Sequence, residues 1–296
     1  MPVTLAQHEA EALTRPPISY WQDVWMRFRK NRLATIGLTV LAIMAVMAVI
    51  GPIISPWDYR TQDYGHFNEF ISSRHWFGTD YLGRDIFTRL WYGTRISIFI
   101  GVMAALIDLA IGVVYGGIAG YFGGVLDDIM MRIVDVLYAI PYLLVVILLL
   151  VVMEPGLWTI ILAMSITGWV GMARLVRGQI LQLREMEYVL AAKSMGTPPK
   201  RIIARHLVPN TMGVVLVNLT MTIPGAIFGE AFLSFIGLGV PMPLASLGTI
   251  ANEGYQVLKI HPHCMVIPAI AISLLILSFN FVGDGLRDAL DPRLRQ

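Results

Sequence analysis

EYVLAAKSMGTPPKRIIARHLVPN, residues 187–210, lies between two apolar runs and carries charge, a small-residue pair, a glycine and prolines at fixed offsets. The preceding ARLVRGQILQLREM (173–186) predicts a helix that leaves the membrane and continues to Gly196, a residue suited to the left-handed cap conformation. Thr197 is placed to cap a second short helix beginning at Pro198, a favoured position for proline. Pro209 disfavours helix at Val208, so that second helix is expected to stop there. Two short helices hinged at glycine make a compact knob. Ala191 and Ala192 give it a flat surface, Lys193, Lys200, Arg201 and Arg205 give it polar edges, and Ile202 and Ile203 offer apolar contact. A loop that merely fixed topology would need the positive charge but not the Ala-Ala, Gly and Pro framework, so the segment reads as a docking surface.

The rest of the chain places that knob in a membrane protein. Of the 296 residues, 56% are hydrophobic and only 14% charged, whereas soluble domains carry about 25% charged residues. Residues 33–54 are uncharged and would extend roughly 33 Å as a helix, enough to cross a bilayer. Further spans are expected at 96–119, 134–153, 157–173, 211–236 and 264–283, six in all. Helices satisfy their own backbone in lipid, and the alternation of a membrane barrel is absent, so the fold class is all-α and integral to the membrane. The N-terminus, with Glu9, Glu11, Pro16 and Pro17 and no early apolar core, does not read as a cleaved signal.

Basic residues set the orientation. With the N-terminus in the cytoplasm, sixteen Lys and Arg fall inside and six outside, and seven of the sixteen lie in 174–210. Both termini and the knob are therefore expected in the cytoplasm. The chain divides into a tail (1–32), a first anchor helix (33–54), an outward loop (55–95), a five-span core (96–285) holding the coupling loop 184–209, and a second tail (286–296). In the outward loop, Asp85 and Arg89 stand at i and i+4, and Trp76, Phe77, Phe87, Trp91 and Tyr92 suit an interfacial helix.

Several residues carry possible chemistry. Gly112, Gly116, Gly120 and Gly124 recur every fourth residue, which lets a neighbouring helix approach closely. Asp108 lies mid-span, where insertion costs roughly 2.5–3.5 kcal/mol, so it should face the bundle interior or water. Glu230 follows Pro224 in the fifth span. Both are candidates for a translocation path and for structural polar glue. No GxxxxGK[ST], HExxH or GxSxG occurs, so ATP hydrolysis, metalloprotease and serine-hydrolase chemistry are not expected here. HPHC (261–264) lacks a second ligand cluster and reads as turn chemistry, with Cys264 in a small apolar role.

The knob's spacing resembles the coupling loop of ABC-importer permeases, in which Glu-Ala-Ala is followed by three residues, Gly, nine residues and Ile-x-Leu-Pro. Here Leu190-Ala191-Ala192 precedes Gly196, and His206-Leu207-Val208-Pro209 ends the loop; Leu190, His206 and Val208 depart from the pattern. A His-x-x-Pro-Asn ending, here His206 to Asn210, resembles the oligopeptide and dipeptide branch. FGTDYLGRDIFTRLWYGTRIS (77–97), AGYFGGVLDDIMMRIVD (119–135), MARLVRGQ (172–179), EAFLSFIGLGVPMP (230–243), ASLG (245–248) and FNFVGDGLRDALDPRL (279–294) are similar to its C-type permease subunits.

That resemblance implies a type I importer permease fold with six transmembrane helices in a prokaryotic plasma (inner) membrane. It further implies a second homologous permease, two ATPase subunits that carry the ATP and Mg, an extracytoplasmic substrate-binding protein, and no catalysis or cofactor on this chain. Glu187, Ala191, Ala192, Gly196, Arg201, Arg205, His206 and Pro209 would couple to an ATPase. The expected substrate is a dipeptide or oligopeptide, with nickel or glutathione permeases as related alternatives. A stand-alone proton-coupled carrier using Asp108 and Glu230 would call for paired intramembrane acids and two related halves, and neither is seen.

Overall fold

The computed structural model describes residues 19–290; the tail before Ser19 and the last six residues lie outside that range. Among the described residues the structure is helical, with no strand beyond an isolated Thr79–Asp85 bridge. Five helices are long and apolar enough to span a membrane, or six if one bent pair counts as a single span. They are α2 (Arg32–Ile54), α3 (Ile86–Phe122), α6 (Leu157–Leu183), α9 (Val208–Phe235, continuous with a preceding short helix) and α11 (His263–Leu290), with α4 (Gly124–Ala139) and α5 (Tyr142–Val152) as the bent pair.

Two helices escaped the sequence reading. Helix α1 (Tyr20–Lys30) starts where the Gln22 side chain accepts from the Ser19 amide, and it packs Val24 and Phe28 against Ala289 of α11. Helix α10 (Leu247–Gln256) starts at a reciprocal cap in which Ser246 Oγ accepts from the Thr249 amide and Thr249 Oγ1 from the Ser246 amide. Both starts are legible as Ser-x-x-Gln and Ser-x-x-Thr pairs.

Span boundaries moved for identifiable reasons. Helix α3 begins ten residues before the expected 96, because Asp85 caps it, accepting from the Thr88 amide at 2.8 Å. Its two arginines are then neutralised or bonded locally: Arg89 by Asp80 and Glu253, and Arg95 by the carbonyl of Ala48 at 2.8–3.0 Å. The expected Asp85–Arg89 pair is therefore absent; Asp85 instead holds His75 at 2.9 Å. No separate interfacial helix forms in 55–85. Phe87 belongs to the span and collects Trp76, Phe77 and Trp91 edge-on around itself. In the same loop, the Gly65 amide and His66 hold the half-buried Asp63 carboxyl below its usual range. The expected span 134–153 breaks by 83° at Ile140–Pro141, since a residue before proline leaves the helical region and Ile140 sits at φ −77°, ψ 125°.

Helices α3 and α6 form the centre. A Cβ added at Gly116 would run into the backbone of Ala173 and Arg177, and one at Gly112 would meet Met172. Gly120 lies equally close to Arg177 and Ile180, whereas Gly124 starts α4 and takes no part. Gly116→Val is thus expected to lower the thermal midpoint of the detergent-solubilised protein, an overpacking loss of about 1–3 kcal/mol. Gly117→Ala, whose added carbon meets only side chains at ordinary distance, should not; equal shifts would show that the two helices adjust freely.

Candidate functional site

The knob is built on the ends of α3 and α6. Helix α6 stops at Leu183, not at Gly196, and Arg184 turns the chain by donating to the Gly120 carbonyl at 3.1 Å. Helix α7 (Glu187–Ser194) follows. It ends as expected at Gly196, whose φ of +73° suits glycine. The Thr197 amide donates to Ala192 O and the Gly196 amide to Lys193 O, the two bonds of a Schellman cap. Pro198, not Thr197, caps the short α8 (Pro199–Ile202).

The expected stop at Val208 does not occur. A wide turn over Ile203–Leu207 carries the chain into α9, with the Val208 amide reaching back to Ile203 O. Pro209 then falls in the first turn of α9, where a missing N–H costs no helical bond.

The knob has a buried base and an exposed outer face. Val189, Ala192, Ile202 and Leu207 pack with Tyr121, Val176, Ile180 and Val215, and Lys193 Nζ sits 5.2 Å from the Tyr121 ring centre. Ile202 and Ile203 therefore serve the interior, and Ala192 is buried while Ala191 is exposed. The exposed apolar side chains of the outer face are instead Met186, Tyr188, Leu190 and Met195, each more than two-fifths exposed. Glu187, Gly196, Arg201, Arg205 and Pro209 also lie on the surface; His206 is half-buried, its carbonyl accepting from Asn210. Arg177 and Asp127, which lie outside the expected coupling residues, form a two-pronged pair (2.5 and 2.6 Å) that ties α6 to α4 beside the knob.

The two intramembrane acids part company. Asp108 lines a cavity of about 320 Å³ with Tyr142, Thr167, Gly168 and Thr222. Glu230 is fully buried, accepting from Ser97 Oγ and Ser234 Oγ at 2.7 Å each, and Ser97 Oγ in turn accepts from the Leu247 amide. Glu230 thereby joins α3, α9 and the start of α10 and does not line that cavity. In HPHC, His263 Nε2 lies 3.2 Å from the Glu69 carbonyl, both histidines pack on Phe70, and Cys264 is buried. Among the described residues, no three His, Cys, Asp or Glu side chains gather for a metal.

Residues 112–296 match the binding-protein-dependent transport system inner membrane component family, and residues 19–70 match the N-terminal transmembrane domain of oligopeptide transport permease C. The chain belongs to the binding-protein-dependent transport permeases. The permease is 58% identical to the dipeptide transport system permease protein DppC of Bacillus subtilis, over 97% of this chain and 90% of that protein. It is 54% identical to the oligopeptide transport system permease protein OppC of the same organism, over 97% and 94%. The glutathione transport system permease protein GsiD of Pectobacterium atrosepticum is 41% identical over 93% and 92%. In fold, the permease is similar to a chain of the MetNI methionine ABC transporter in an inward-facing conformation: TM-score 0.54, 20% identity, 68% of this chain and 96% of that one. The permease is a multi-pass membrane protein, and its knob lies within the stretch matched by the first family.

Proposed function

We propose that the permease forms half of the translocation path of an ATP-driven importer of dipeptides or oligopeptides. The knob faces the cytoplasm, as do both termini, and docks an ATPase subunit. A second homologous permease, a second ATPase and an extracytoplasmic binding protein complete the assembly. ATP and Mg are bound by the ATPases, and this chain performs no chemistry of its own.

The observation that carries the reading is the knob. Its exposed Met186, Tyr188, Leu190 and Met195 are held on a base packed into the spans, so force applied at the outer face reaches α3, α6 and α9 through buried contacts. Similarity to dipeptide and oligopeptide permeases supports the substrate class. A second reading, glutathione import, has the 41% identical relative in its favour, and glutathione is itself a tripeptide.

Gentle affinity purification of the tagged permease from its native membrane should retain a second permease and one or two ATPases. Reconstituted with the binding protein, that complex should accumulate a labelled tripeptide in vesicles only with ATP. A permease that purifies alone, or uptake of glutathione or nickel to the exclusion of the tripeptide, would overturn the reading.

A further inference from the structure

The Asp108 carboxylate is 6% exposed, stands in the middle of α3, and presents Oδ1 without a hydrogen-bond partner. Gly168 of α6 makes room for it: a Cβ there would meet the carboxylate carbon at 2.7 Å. The Tyr142 hydroxyl in the same cavity is likewise buried and unpartnered. A buried carboxylate without a counter-charge is costly, and such a group in a membrane span marks a ligand or ion path more often than packing.

A second feature converges on the same place. The cavity shares Tyr142 and Thr167 with a neighbouring one of about 330 Å³, lined by residues 137–141 at the α4–α5 break. That run is the carbonyl end of the sixteen-residue α4, which has no basic residue in its last turn, and Pro141 brings no N–H to it. A helix C-terminus carries partial negative charge and favours a cation. Irregular backbone at membrane depth is tolerated where it is buried or lines a wet cavity. Among the described residues neither cavity is lined by Lys, Arg or His, and the nearby Arg174, over the Tyr138 ring, is held by Asp135 at 2.7 Å. Both features favour a cation, and the nearest one, Arg174, is engaged by Asp135 and lines neither cavity.

We propose that Asp108, with the Tyr142 hydroxyl and the α4 carbonyl end, forms a subsite for a primary ammonium group: the free amino terminus of a peptide in transit. The inference rests on the peptide-import reading. The carboxylate accepts N–H bonds from the ammonium, and the carbonyl end lowers the potential around it. Contacts made by a charged donor are worth about tenfold or more in affinity when one partner is removed.

The test uses the purified complex with its ATPases and partner permease in lipid nanodiscs, and compares binding of a C-terminally labelled trialanine with its N-acetyl form. The wild type is expected to favour the free peptide about tenfold. Asp108→Asn should weaken the free peptide to the level of the acetylated one and leave the latter unchanged, and Asp108→Glu should restore much of the preference. Equal loss for both peptides in Asp108→Asn, or no loss for either, would overturn the subsite while leaving peptide import standing. A wild-type complex that binds neither peptide would overturn the substrate class and the subsite with it.

Discussion

Ala191→Arg is expected to leave the permease inserted and folded while cutting ATP-driven uptake at least about tenfold. Ala191 is exposed on α7, flanked by Tyr188, Leu190 and Met195, so its side chain faces outward. An arginine there disturbs no internal packing but forces a charge and extra volume into any surface that docks on the knob. The few hot-spot residues of an interface cluster near its centre and are worth about 2 kcal/mol or more each, a factor of roughly thirty in binding, and a buried charge forced among them should cost as much. Co-purification of the ATPases should fall in step with transport, while the amount of permease in the membrane stays at wild-type level. Undiminished uptake by Ala191→Arg would remove α7 from the docking surface.

Ala192→Arg one residue on should behave differently. Ala192 is buried against Tyr121, Ile180 and Ile202, so a charge there must either remain unpaired in the interior or unseat α7. The contrast between neighbours separates contact with the partner from support of the contact surface. A Gly196 substitution mixes the two, because φ +73° strains any other residue whatever touches it.

That distinction marks where the sequence stopped being informative. Periodicity, length and charge asymmetry located the spans and the knob, since those signals are local. Which of two adjacent alanines faces inward depends on how α7 lies against Tyr121 and Ile180, far away in the chain. The same holds for Ile202, apolar enough for an interface but taken by the interior. The start of α3 is hidden in the sequence because Arg89 and Arg95 look like the edge of a membrane span until their partners Asp80, Glu253 and Ala48 are placed. Pro141 is a helix breaker by type, but it sits within an apolar run long enough to read as a single span. The separation of Asp108 from Glu230 could not be read: both are lone acids in apolar helices, and only the serines brought to Glu230 from α3 and α9 mark it as internal bracing.

The second large effect is expected at Arg89, on α3 at the end of the bundle that carries loop 55–85. Its guanidinium, 1% exposed, contacts Asp80 and both oxygens of Glu253, while Arg84 bonds Asp80 at 2.7 Å and Glu253 at 3.0 Å. Two arginines and two acids thus lock the loop and the start of α3 onto α10. Arg89→Ala leaves two carboxylates facing Arg84 alone and should cost about 3–5 kcal/mol, the usual result of removing one side of a buried ion pair. The expected readout is a much lower thermal midpoint in detergent and rapid proteolysis within residues 55–85. Removing a charge from each side, Arg89→Met with Glu253→Gln, keeps Arg84 and Asp80 matched and should recover a good part of the loss. Arg74→Ala in the same loop serves as the control. That side chain is 51% exposed, its nearest acid lies at 3.8 Å, and it otherwise meets His66 Nε2 and the face of Trp57, so stability should move by no more than about 1 kcal/mol. If the two single losses simply add in the double variant, the four residues do not act as a unit, and the loop is held instead by its aromatic packing around Phe87.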